Sequence, residues 1–143
     1  MATFPIPHRD PFLFLSRLEA TDGEEAIFAY DMPRHSDSFS LKMFPTLLMV
    51  EAMAQAAAAF HGVRMNESRE GHTEEGVLAS VDKVRTSGRP RPGDTLTIKI
   101  KRRKQFGPMV LLDGEVWVSH RLAASAELYV RRGAPSGRSG GAA

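Results

Sequence analysis

The chain has 143 residues, 42% of them hydrophobic, with a formal net charge of +2 and no cysteine. That is the length of one domain, and a domain near this size hides about two-thirds of its unfolded surface, so it needs no covalent staples. Without cysteine there are no disulfides, thiolate nucleophiles or cysteine-ligated zinc sites; with no apolar run near the roughly 20 residues of a membrane span and no signal-like leader at Met1-Ala2-Thr3-Phe4-Pro5, the expectation is a cytoplasmic protein.

The N-terminal Pro7-His8-Arg9-Asp10-Pro11 reads as a turn, because its prolines forbid a longer helix. His8 and Arg9 are expected to brace it. Phe12-Leu13-Phe14-Leu15 reads as a buried strand running to about Ala20. Thr21-Asp22-Gly23 is a hairpin signal, and Ala26-Ile27-Phe28-Ala29-Tyr30 is the returning strand. The stretch from Asp31 to Ser40 holds Pro33 and three serines and is too polar for a core.

From Pro45 the composition changes. Residues 46 to 61 are rich in strong helix formers. Pro45 suits the first helical position and Gly62 suits a C-terminal cap. The segment is apolar nearly all round, as a helix buried on most faces must be, and its alanines allow a sheet to approach closely. Residues 63 to 75 are polar and read as a loop.

Four strands follow. Gly76 to Val84 is the first, and Arg89-Pro90-Arg91-Pro92-Gly93-Asp94 is a turn. Thr95-Leu96-Thr97-Ile98-Lys99-Ile100-Lys101 alternates with a period of two, and Gln105-Phe106-Gly107-Pro108 ends it. Met109 to Ser119, with Trp117, is the next strand, and Arg121 to Val130 is the last. Residues 1–132 therefore form one domain, and residues 133–143, rich in Gly, Ser and Ala, form a flexible tail. One buried helix among strands joined by hairpin-length connections is an α+β pattern with a mainly antiparallel sheet.

Charge is uneven along this frame. Lys99, Lys101, Arg102, Arg103 and Lys104 make one basic cluster, and Arg85, Arg89 and Arg91 make another. Such clusters either steer an acidic partner or form a solvated strand face with long stems over apolar surface. His61, His72 and His120 have no metal-ligand spacing and read as surface residues. Trp117, Phe60 and Met53 read as core. Nothing resembles a phosphate loop, a nucleotide fingerprint or a metal motif, so no cofactor, metal or nucleic acid is expected.

Four segments, in order, carry a resemblance. Pro7-His8-Arg9-Asp10-Pro11-Phe12-Leu13 resembles the Pro-His-Arg-Tyr-Pro-Phe-Leu opening of FabZ-type (3R)-hydroxyacyl-[acyl-carrier-protein] dehydratases. Glu51-Ala52-Met53-Ala54-Gln55 is identical to their helix motif. Gly76 to Arg85 resembles their strand with a Lys-Ala/Val-Arg-Phe run, and Arg91-Pro92-Gly93-Asp94-Thr95-Leu96 their Pro-Gly-Asp turn. The resemblance spans about residues 7 to 131. It implies the hotdog fold, in which a six-stranded antiparallel sheet wraps one long central helix. It also implies protomers paired edge to edge around an acyl tunnel, often as a trimer of dimers.

The same resemblance implies a chemistry. In the family a histidine of one protomer removes the α-proton of a hydroxyacyl thioester, and a carboxylic acid on the partner's helix serves the leaving hydroxyl, a general base with a general acid. Glu51 falls on the acid position, and Gln55, one turn on, shares its face. Pro45, Thr46 and Leu47 at the helix start are the implied substrate-binding residues, with the backbone N–H groups there holding the thioester carbonyl. The departure lies upstream. Counted without gaps, the family's histidine falls on Asp37 and its helix-start glycine on Thr46. His35 lies two residues away and would serve if the loop carried a two-residue deletion.

Three function classes stay open. The chain is a dehydratase using Glu51 with His35 or Asp37; or a degenerate homodimer or heteromer partner of a histidine-bearing paralogue; or a thioesterase using Glu51. All three hold acyl-ACP or acyl-CoA. A carrier protein would meet Arg85, Arg89, Lys101, Arg102 and Arg103.

Overall fold

The structure is a computed structural model and describes residues 4, 6, 8, 12–34, 45–68 and 76–132. Its sheet follows from alternation. In β4 (Thr95–Phe106), Leu96, Ile98 and Ile100 are fully buried on one face. In β5 (Met109–Val118), Leu112 and Val116 do the same, as do Leu128 and Val130 in β6 (Arg121–Arg132). Two further strands lie upstream, β1 (Arg17–Thr21) and β2 (Glu25–Asp31), and β3 (Gly76–Thr86) follows the helix. The six strands form one sheet in the order β1-β2-β4-β5-β6-β3. Every pairing is antiparallel; the β1–β2, β4–β5 and β5–β6 connections join spatial neighbours, whereas the step from β2 through the helix to β3 and the β3–β4 connection cross to strands that are not adjacent.

Turn chemistry fixes the hairpins. Gly23 supplies φ 91° after Asp22, whose carboxylate accepts the backbone N–H groups of Glu24 and Glu25 at 3.0 and 2.9 Å. Between β5 and β6 the two-residue turn Ser119-His120 takes φ 47° and 67°, the left-handed pair that matches the twist of flanking strands.

Among the described residues there is one helix, α1 (Pro45–Ser68); it contacts β2 through β6, which gives the hotdog arrangement expected of the chain. Residues 52–61 are buried along its middle. Four expectations need correction. The helix does not stop at residue 61: Gly62 is helical, because a glycine costs only about 1 kcal/mol in a helix interior and good helix formers such as Arg64, Met65 and Glu67 follow it. His61 is consequently mid-helix, and it is 6% exposed rather than a surface residue. The first strand begins at Arg17, not at Phe12. Phe12 is 65% exposed, and the N–H of Phe14 is taken by the helix side chain Gln55 rather than by a strand. Trp117 is half-buried on the strand face opposite Thr97, its indole N–H donating to Glu115 at 3.1 Å; it is not a core residue.

Helix and sheet meet closely at Gly114. A Cβ there would stand 2.7 Å from Leu128 Cδ1 and 3.1 Å from Met53 Sδ. Glycine at this point lets α1 sit down on β5, and Met53 is two residues beyond Glu51.

Candidate functional site

Three residues spaced by four describe one face of α1. Leu47 is 62% exposed and Gln55 only 1%, and Glu51 lies half-buried between them. The face therefore slopes from solvent at the helix start into the core. Gln55 is covered by the segment 12–14: its Oε1 accepts the Phe14 N–H at 2.8 Å, and its Nε2 donates to the Phe12 carbonyl at 2.9 Å. The same Nε2 donates to Glu51 Oε1 at 3.1 Å. The amide's orientation follows from this network, since only its oxygen can accept from a backbone N–H.

A second side chain reaches the same carboxylate. His8 Nε2 lies 3.3 Å from Glu51 Oε1. The sequence assigns His8 a bracing role in the N-terminal turn; the structure also places its imidazole beside Glu51. Its segment is held by Phe4 and Ile6, which are buried at 7% and 3% exposure, and the Phe4 ring tilts against Phe28 with centroids 5.8 Å apart. The only sequence signal for His8 was its membership of the Pro-His-Arg motif. His35, Asp37 and Arg9 lie outside the described residues.

Pro45 opens the helix and has no N–H, so the first amides free to hold an anion or a carbonyl are those of Thr46 and Leu47. Both residues are exposed. Along the axis Glu51 stands roughly 7 Å beyond Thr46. The arrangement offers a dipole end and a carboxyl group on one open face, which suits holding a polarised carbonyl while a proton is exchanged nearby.

The basic cluster is divided by the fold. Lys101 and Lys99 stand opposite Asp113 and Glu115 across β5, on the face of the sheet away from α1. Arg103 bridges Asp113 at 2.9 Å and Glu127 at 3.0 Å. Hydrogen bonds to Asp113, then to Glu127, hold its guanidinium above the usual arginine range. Arg85, Lys101 and Arg103 line one open groove there with Glu25, Asp113 and Glu127. Arg102 stands opposite the core residue Leu112, and it pairs with Glu24 at 3.8 Å and hydrogen-bonds Gln105. Arg89 is exposed in the β3–β4 connection. The five residues do not form one patch, and the groove is separated from Glu51 by the thickness of the sheet.

Among the described residues no three His, Asp or Glu side chains cluster as metal ligands. No described helix is long and apolar enough to cross a membrane.

Comparison with known proteins fits this geometry. The family described as ApeP-like, ApeP dehydratase, matches residues 2–136. The 3-hydroxyacyl-[acyl-carrier-protein] dehydratase FabZ of Wolinella succinogenes is 34% identical over 131 residues, covering 86% of this chain and 87% of that protein. Among solved structures, the dehydratase heterocomplex ApeI:P from Xenorhabdus doucetiae superposes with a TM-score of 0.77 at 19% identity, covering 91% of this chain and 89% of that one. A hypothetical thioesterase from Streptococcus pneumoniae with coenzyme A gives 0.64 at 13% identity over 83% of this chain and 86% of that one. At these identities both structures share the fold.

Proposed function

Because the chain belongs to the ApeP-like dehydratase family, within the FabZ-type hotdog proteins, we propose that it binds an acyl thioester and supplies Glu51 as the acid half of a dehydration site. A histidine on a partner chain completes that site. The observation that carries this reading is the half-exposed Glu51 carboxyl, hydrogen-bonded by Gln55 on an open helix face, in a chain where counting without gaps puts Asp37 in the place of the family histidine. The solved relative ApeI:P is itself described as a heterocomplex.

The elimination balances as follows. The partner's imidazole takes the α-proton, and the electron pair left behind forms the carbon–carbon double bond. The β-carbon–oxygen bond breaks, the hydroxyl takes the proton of Glu51, and water leaves. Amides of Thr46 and Leu47 hold the thioester carbonyl, where charge builds as the α-proton departs. An aspartate is a poor substitute for the base, because ordinary carboxylates titrate near 3.9 and imidazole near 6.5.

The test is hydration of crotonyl or longer enoyl thioesters, first by this protein alone and then with candidate histidine-bearing partners. Activity is expected in the mixture and is lost with Glu51→Gln. Robust turnover by the chain alone, abolished by His35→Ala, would make it an ordinary dehydratase and sink the partner reading. Thiol release from acyl-CoA or acyl-ACP that disappears in Glu51→Gln would make the same carboxyl a hydrolytic group. Arg85 and Lys101 are the proposed carrier contacts best placed on one face. Carrier binding through them should weaken as salt rises, since exposed charges are screened within about 10 Å at 0.1 M; salt-insensitive binding would remove them.

A further inference from the structure

Two side chains converge on one oxygen of Glu51. Gln55 Nε2 is 3.1 Å from Oε1, and His8 Nε2 is 3.3 Å from the same atom. Gln55 hydrogen-bonds Oε1 and the His8 imidazole stands at ion-pair distance from the same atom, so both side chains engage Oε1 from within the protomer. We infer that His8 is a positioning residue for Glu51: with Gln55 it fixes Oε1, so that Oε2 is the oxygen presented to the substrate hydroxyl. This rests on the proposed reading of Glu51 as the dehydration acid.

Each donor is anchored independently. Gln55 is locked by Phe12 and Phe14 backbone groups. His8 hangs from a segment whose Phe4 and Ile6 side chains are in the core. Both members of the pair remain reachable, with the His8 side chain 35% and the Glu51 side chain 45% exposed. When Oε2 gives its proton to the leaving hydroxyl, the carboxylate left behind already has the Gln55 amide and the His8 imidazole beside Oε1, and stabilisation that needs no rearrangement is the effective kind. Either the neutral Nε2–H tautomer or the imidazolium can serve as donor. His8 acts through Glu51 and does not itself meet the reacting carbons.

Two measurements test this. The first needs no partner: imidazole ¹H–¹⁵N signals are recorded for the full chain and for Glu51→Gln. The His8 ring signals should move while those of His120, in the β5–β6 turn, stay put. His8 signals unaffected by Glu51→Gln overturn the proposal. The second uses the active mixture. His8→Ala should lower kcat by about tenfold to a hundredfold, as misplacement of a reacting group does, with KM little changed. His8→Gln places a donor at similar reach and should restore most of kcat. Equal losses in the two variants, or a loss in KM alone, overturn it. If the wild-type mixture is inactive, the partner reading fails and the imidazole signals alone decide the role of His8; they also decide it if His8→Ala does not fold.

Discussion

Gly114 shows how much one absent methyl group controls. Its position faces Leu128, Met53 and Ile100, all fully buried, so none can swing away to admit a side chain. Gly114→Ala is expected to destabilise by about 1–3 kcal/mol, the range for overpacking a filled core. Urea unfolding measures it, and an unchanged midpoint would mean that α1 lifts off β5 without strain. Because Met53 lies on the turn of α1 after Glu51, the variant should also displace the carboxyl. At this scale the sequence showed half of the site. Glu51 and Gln55 are one turn apart, and helical geometry alone brings such residues together. His8 comes from a distant segment, and no local periodicity relates it to Glu51.

At the scale of elements, the β1–β2 hairpin carries the clearest acid sensitivity. The Asp31 carboxyl is held below the usual carboxylate range by its hydrogen bond to Arg17, with Thr95 also donating to it. Asp22 is likewise lowered, first by the Glu24 N–H and then by the Glu25 N–H. Their folded values lie below the unfolded ones, so both contributions are complete above about pH 4 and are lost as pH falls through the lower folded values. Thermal midpoints of wild type and Asp31→Asn should therefore converge on acidification and separate above pH 4. Curves that stay parallel down to strong acid would remove Asp31 from the account. Both residues are exposed, so the effect is a small one superimposed on global acid unfolding. The hairpin itself was legible as Thr21-Asp22-Gly23. The end of α1 was not, because a lone glycine is a weak stop where helix formers continue beyond it.

For the whole molecule the two sheet edges differ. β1 is five residues long, with Arg17 and Glu19 among its exposed side chains, the short charged edge that resists pairing. β3 is eleven residues long and leaves Val77, Leu78 and Val84 exposed. Bulges interrupt its register with β6 after Leu78 and after Asp82, with Lys83 at φ 52°. The β3 edge is thus the one suited to the edge-to-edge association implied by the family, with a copy of this chain or with a partner. Val77→Lys combined with Val84→Lys should shift the species seen by light scattering toward monomer while leaving the far-ultraviolet spectrum unchanged. An undiminished oligomer would place the interface elsewhere.

Local rules settled the number and order of the strands, the buried helix, the hairpin turns and the Glu51–Gln55 pair. They could do so because periodicity, propensity and turn chemistry act over a few neighbouring residues, and the family motifs supplied how such pieces assemble. Tertiary structure decided the rest. It seated His8 on the carboxyl of Glu51, drew the Phe12–Phe14 backbone onto Gln55 instead of into a strand, and sent Arg102 to the opposite face of the sheet from Lys101. Each of these depends on which distant groups compete for the same donor, acceptor or buried space, and that competition exists only once the sheet has closed over the helix.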